Sequence, residues 1–218
     1  MKTTDNQNEL FNIVDEKDNV VGQATRGEVH KNKSLIHRSV GVVVFNSRGE
    51  IFLQQRSAGK DTDPSKWTIS ASGHVSAESA EVGHGFFAYL PNSPALAGSN
   101  TVGVLKKHDL PADSYSPSRH PQDPNAQVYE EAAHRELQEE LGVDLDIEPV
   151  VKYLCRAPNE TEMQMLYKAY HDGSFRLNKK EIIKGNFFTQ KELKEAIRSG
   201  KIVLSFMGKK ALEKLGWT

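Results

Sequence analysis

The chain alternates short runs of β-branched and aromatic residues with a few longer stretches of helical spacing. Residues 10–22, LFNIVDEKDNVVG, read as two short strands around an acidic turn. Residues 39–45, SVGVVVF, form a continuous β-branched run and predict a buried strand. Asn46 to Glu50 supply turn chemistry and Ile51–Arg56 return as the next strand, so this stretch predicts a hairpin. Trp67 to Ser70 predict a further short strand running into Ser72-Gly73-His74, and residues 144–156, 162–170 and 181–188 predict three more. Between them a helix should begin near Val128 and run through Glu130 and Ala132. Its apolar positions Ala133, Leu137 and Leu141 recur every four residues and mark one buried face, and Gly142 stands where a C-terminal cap glycine belongs. Residues 190–199 open with a capping pattern and predict a helix, and LSFMGKKALEKLGWT predicts the last one. Strands bracketing a central helix, with more helices late, predict an α+β chain. The expected architecture is an α/β/α sandwich around a mixed sheet, as one domain over 1–218.

Residues 80–127 break this rhythm. They hold Pro91, Pro94, Pro111, Pro117, Pro121 and Pro124, a spacing that forbids regular structure. A loop-like or partly disordered insertion is expected there, with a substrate-facing lid as the alternative. The bulk composition then narrows the class. Of 218 residues, 37% are hydrophobic and 26% charged, as in a soluble globular protein, and a net charge of −1 gives no strong field for nucleic acid or anionic membrane. The single cysteine, Cys155, excludes an internal disulfide framework and suits a reducing cytosol. The N-terminal MKTTDNQNEL lacks an apolar signal core, and no run approaches a membrane span, so a cytoplasmic enzyme is expected.

The densest candidate chemistry is Arg135-Glu136-Leu137-Gln138-Glu139-Glu140-Leu141-Gly142-Val143. On a regular helix Glu136, Glu139 and Glu140 project from neighbouring positions of one surface, and Arg135 is four residues from Glu139. Clustered carboxylates repel one another at neutral pH, and close oxygen ligands are what Mg2+ or Mn2+ requires. A solvated acidic face is the plainer reading of such a helix. The spacing, however, resembles the second half of the Nudix box, G-x5-E-x7-R-E-U-x-E-E-x-G-U, at every specified position from Arg135 to Val143. The first half departs from that pattern, because the glutamate position falls on Gln127 and the glycine position on Pro121. Residues 73–79, Gly-His-Val-Ser-Ala-Glu-Ser, resemble the missing front half, including a supporting glutamate at Glu78, which implies a box split by the insertion.

Segments 9–79 and 128–207 resemble the branch of the Nudix superfamily that includes isopentenyl-diphosphate isomerase. The shared features are Val14-Asp15-Glu16, His30 and His37, Gln55-Arg56-Ser57, Lys60, Pro64 to Trp67, and Ser70 to His74. The resemblance implies Mg2+-dependent hydrolysis of a diphosphate linkage in a nucleoside diphosphate derivative or related organic diphosphate, with Mn2+ as the alternative ion. It implies metal ligation by Glu136, Glu139, Glu140 and the Gly73 backbone, with Glu139, Glu140 and Arg135 as the catalytic set. Arg56 and Lys60 are candidates for phosphate contacts, and Glu181 for a late-loop carboxylate. A second constellation, His30, His37, His74, Glu160 and Glu162, resembles the metal ligands of the isomerases, although a structural role for these histidines is the plainer expectation. The isomerases use a cysteine immediately before the Gly-His pair, where this chain has Ser72, a far weaker acid. That favours a hydrolase over an isomerase. A catalytically silent diphosphate-binding module is the non-enzymatic reading. The expected partner is a small-molecule diphosphate, with a homodimer left open.

Overall fold

A computed structural model describes residues 5–77 and 123–218. Most of the proline-rich insertion, and Glu78, lie outside the described residues. Nine strands form one mixed sheet: β1 (Leu10–Val14), β2 (Val20–Thr25), β3 (Ile36–Phe45), β4 (Ile51–Arg56), β5 (Trp67–Thr68), β6 (Ala71–His74), β7 (Ile147–Arg156), β8 (Thr161–Tyr170) and β9 (Ile182–Phe188). Among the described residues four α-helices accompany them: α1 (Arg26–Val29), α2 (Ala126–Glu136), α3 (Gln190–Arg198) and α4 (Phe206–Lys214). Helix α2 starts two residues earlier than its apolar spacing predicts and continues into a π-helical turn over Leu137–Leu141.

Strand β3 is the spine. It pairs in parallel with β8 over its whole length, Ile36 opposite Thr161 through Phe45 opposite Tyr170. Its other edge takes β6 antiparallel at Ser39–Val42 and closes the hairpin to β4 at Phe45. Strand β9 pairs with β4, and β7 with β8. A strand covered on both faces reads as an unbroken apolar run, and this explains Val40 to Val44. Val40, Val42 and Val44 pack toward α2 with Ala132, Ala133, Leu137 and Leu141, while Val43 packs with Leu193, Ala211 and Leu212 of α3 and α4. Two apolar layers on opposite faces of the sheet make the expected α/β/α sandwich. Helix α3 is started by a capping box in which Glu192 accepts from the Thr189 hydroxyl and amide while Thr189 accepts from the Glu192 amide. Gly142 ends the π turn with φ +68°, a left-handed conformation that explains a glycine there. No helix among the described residues is long and apolar enough to cross a membrane.

Candidate active site

Two clusters of ligating side chains sit near one end of the sheet, on either side of β6. The first is carried by α2 and its π turn. A Cβ built on Gly73 of β6 would stand 2.2 Å from the carboxyl group of Glu136. Only glycine lets that carboxylate lie against the strand, so the Gly73 segment and the Arg135–Val143 segment meet there. Arg135 fastens the junction, its guanidinium donating to the His74 carbonyl at 2.6 Å and to Glu136 Oε1 at 2.9 Å. Glu140 is 3% exposed and accepts from the Gln54 amide at 2.6 Å and from the Ser72 backbone N–H at 3.2 Å. Gln127 turns to solvent and bonds Glu131, so the contiguous alignment of the box has no acid at this junction.

The three carboxylates stay grouped but are unequally exposed. Glu136 and Glu139 line the cavity, whereas Glu140 is buried behind them, near enough for the charge of Glu136 to act on it. The π turn supplies the reason, since an extra residue per turn rotates the positions after Leu137. The wide turn is held by the following chain: Arg176 N–H donates to the Leu141 carbonyl at 2.8 Å and Asn178 N–H to the Glu140 carbonyl at 2.9 Å. Burial, and then the charges of Glu136 and Glu181, push the Glu140 carboxyl well above its ordinary pKa. Burial likewise raises Glu136, helped by Glu139 and Glu181 and opposed by Arg135. Crowded carboxylates that resist ionising are relieved by a divalent cation, so this donor set fits a hard metal ion.

The cavity in front of them has a volume of about 560 Å³. Arg56, Lys60 and Glu181 line it together with Glu136 and Glu139. The two candidate phosphate contacts differ. Arg56 donates to the Thr62 carbonyl at 3.1 Å and hydroxyl at 3.2 Å, both neutral, and no ion pair to it occurs among the described residues. Lys60 already reaches Asp5 at 2.7 Å and Glu181 at 3.4 Å.

The second cluster lies beyond β6. His30 caps α1, His37 is on β3, His74 on β6, Glu160 in the β7–β8 turn and Glu162 on β8. The parallel register sets His37 directly opposite Glu162. One ligand atom from each of His30, His37, His74 and Glu160 lies within 4.8 Å of the others. Both ring nitrogens of His37 are buried without a hydrogen-bond partner. His30 Nε2 and Glu160 Oε2 are 3.0 Å apart yet meet no hydrogen-bond geometry. Burial lowers His37 to about 4, and burial with the Arg26 charge lowers His74 to about 3, so both rings are held toward the neutral form. Burial opposes the charged form of His30, but the neighbouring carboxylates of Asp61 and Glu160 outweigh it and raise its pKa to about 9. Orphaned buried nitrogens converging on a carboxylate fit a transition-metal ion better than a purely structural role. His74 is the constrained member. Arg26 Nη1 lies 3.3 Å from its Nδ1, and because guanidinium only donates, the His74 proton is left on Nε2, which lies 3.3 Å from Glu162.

Sequence reasoning left out Arg26, Asp61 and Asp5. Arg26 is 7% exposed and pairs with Asp61 at 2.9 Å and Glu9 at 3.1 Å. Their local signal is slight: a Thr25-x-x-Glu28 capping box inside a polar stretch. Cys155 is buried with its sulfur 3.4 Å from that of Met207, and burial pushes its thiol up to about 12, so it is an inert core residue. Ser72 lines the cavity where the isomerase resemblance would require a thiol.

Residues 123–206 match the family model for the NUDIX domain. Isopentenyl-diphosphate Delta-isomerase I of Camptotheca acuminata is 28% identical over 202 residues, spanning 85% of this chain and 69% of that protein. Of two other curated relatives the chain spans only 57% and 53% of the length. Among solved structures, the protein DR0079 of Deinococcus radiodurans superposes with a TM-score of 0.62 at 21% identity, covering 95% of this chain and 98% of that one. A NUDIX hydrolase from Alicyclobacillus acidocaldarius gives 0.55 at 12%, covering 84% and 90%, and both show the shared fold. Residues 123–206 thus carry the match to the NUDIX domain, and the chain as a whole is similar in sequence to isopentenyl-diphosphate isomerases and in fold to Nudix proteins.

Proposed function

We propose that the chain is a Mg2+-dependent Nudix-type pyrophosphohydrolase acting on an organic diphosphate such as a nucleoside diphosphate derivative. The observation that carries this reading is the seating of Glu136 against Gly73, beside Glu139 and the buried Glu140, at a cavity that also presents Arg56. Glu136, Glu139, Glu140 and the Gly73 backbone would hold the ion, with Mn2+ as a substitute. When bound, such an ion neutralises phosphate charge and acidifies bound water. The chain's own groups do the rest. Arg56 meets the phosphate oxygens with a guanidinium that makes no ion pair among the described residues. Arg135 holds Glu136 in place. Glu139, the exposed member, or Glu181 takes the proton of the attacking water.

The histidine cluster favours a second reading, isopentenyl-diphosphate isomerase, because its members resemble the ligands of the relatives that carry that name. Ser72 counts against it, since the hydroxyl cannot readily replace the acidic thiol. A panel assay decides between them. Nucleoside diphosphates, nucleotide sugars, dinucleotides and isoprenyl diphosphates are incubated with Mg2+, and phosphate release is followed. Release from one class, reduced about 10²–10³-fold in kcat by Glu139→Gln with the fold intact, supports the hydrolase. Conversion of isopentenyl to dimethylallyl diphosphate would select the isomerase. Metal binding without turnover on any compound would select a silent binding module.

A further inference from the structure

The N-terminal segment inserts a carboxylate into the cavity beside Lys60. Asp5 Oδ1 accepts from Lys60 Nζ at 2.7 Å, and Asp5 Oδ2 accepts from the Asp61 backbone N–H at 2.8 Å. Arg26 Nη2 stands 3.9 Å from the same oxygen. An ammonium, a backbone amide and a guanidinium around two oxygens form an oxyanion site, and Asp5 fills it while lining the cavity with Arg56, Glu136 and Glu139. The side chain is 9% exposed, so the carboxylate is seated and not trailing in solvent. The segment behind it is anchored mainly by other groups, with Gln7 Nε2 also donating to the Asp5 carbonyl at 3.3 Å. Gly27 N–H donates to the Gln7 carbonyl at 3.0 Å, Arg26 N–H to the Glu9 carbonyl at 2.8 Å, and Gln7 Nε2 to Asp61 at 3.2 Å. Asp5 can therefore leave Lys60 while residues 7–9 stay paired.

We propose that Asp5 is a specificity-determining residue: a tethered carboxylate that competes for Lys60 and Asp61 N–H, so that a diphosphate displaces it and a monophosphate does not. The proposal rests on the diphosphate reading of this cavity. A short tether gives the internal competitor an effective concentration in the millimolar range, which a singly held anion does not overcome. A diphosphate reaches Arg56 and Lys60 together and carries more charge, so it wins. Once the linkage is cut, the remaining monophosphate loses Lys60 to Asp5, which favours its release.

The test is calorimetric titration of inorganic phosphate and of pyrophosphate into the full chain with Mg2+, for the wild type, Asp5→Asn and Lys60→Met. Asparagine keeps a neutral acceptor for the Asp61 amide, so folding is preserved, which Tm checks. The expected result is that Asp5→Asn tightens phosphate by about tenfold and pyrophosphate by about threefold or less, and that Lys60→Met in the Asp5→Asn background abolishes the gain. Unchanged or weaker phosphate binding in Asp5→Asn, with pyrophosphate still bound by the wild type, overturns the competitor role and leaves the diphosphate reading standing. Pyrophosphate bound by neither protein overturns both.

Discussion

Gly73 is the residue on which the carboxylate cluster turns. Its missing side chain is the space that Glu136 uses, so Gly73→Ala must displace either the carboxylate or strand β6. The expected outcome is a loss of Mg2+-dependent turnover of about 10²-fold or more with a much smaller change in Tm, checked by kinetics beside a melting curve. Turnover within twofold of the wild type would separate Glu136 from the chemistry. The spacing of Glu136, Glu139 and Glu140 was legible in the sequence, because family motif and helical period agree there. The inward turn of Glu140 was not, because it depends on a π turn whose carbonyls are satisfied by Arg176 and Asn178, residues far along the chain. Lys60 shows the same limit. It stands in the sequence as a candidate phosphate contact in a charged loop, and only the folded chain brings Asp5 and Glu181 to it.

At the scale of elements, helix α2 must be set in register on the sheet, and its first turn carries the anchor. Asp18, 2% exposed and with φ +66°, accepts from Arg38 at 2.7 Å, Lys152 at 2.9 Å, the Asn125 side chain at 3.1 Å and the Tyr129 hydroxyl at 3.1 Å. One carboxylate thus ties the β1–β2 turn, β3, β7 and the start of α2. Asp18→Ala would leave Arg38 buried without its partner and should cost about 3–5 kcal/mol in denaturant unfolding. A cost below 1 kcal/mol would show the knot to be incidental. Asp123 completes it through Lys152 at 2.6 Å. Burial opposes ionisation of Asp123, but the Lys152 hydrogen bond and the Asn125 amide outweigh it and hold its pKa below the usual carboxylate range. As pH falls, the unfolded chain takes up this proton first. The stabilisation is therefore fully present above the unfolded value of about 3.9 and drains as pH drops through the folded one. Asp123→Asn should lower stability at pH 6 and narrow the gap to wild type in the acid limb of a pH-dependent melt. A gap that stays constant into acid would show that the charge of Asp123 contributes nothing. The strands and helices themselves were readable from alternation and caps, as with Ile51–Arg56. This knot was not, because Asp18 looks like an ordinary turn residue until four elements close around it.

At the scale of the whole molecule, the imidazole cluster joins α1, β3, β6 and the β7–β8 turn, so an ion there would staple four parts of the chain. Zn2+ or Mn2+ at 100 times its Kd should raise stability by about 2.7 kcal/mol. Glu160→Gln should remove most of that gain and leave the response to Mg2+ at the carboxylates intact, which differential scanning fluorimetry with each ion resolves. An unchanged gain would place the ion elsewhere. The sandwich was legible because Val40 to Val44 demand cover on both faces. The β3–β8 pairing was not, since no local signal links strands more than a hundred residues apart. That pairing also governs how the molecule comes into being. A growing chain presents His30, His37 and His74 long before Glu160 exists, and β3 must wait with one edge bare until β8 has been made. The sheet's spine is thus completed late, with only β9 still to be added at β4, and the interval during synthesis is when this protein is most open to sticking to a copy of itself.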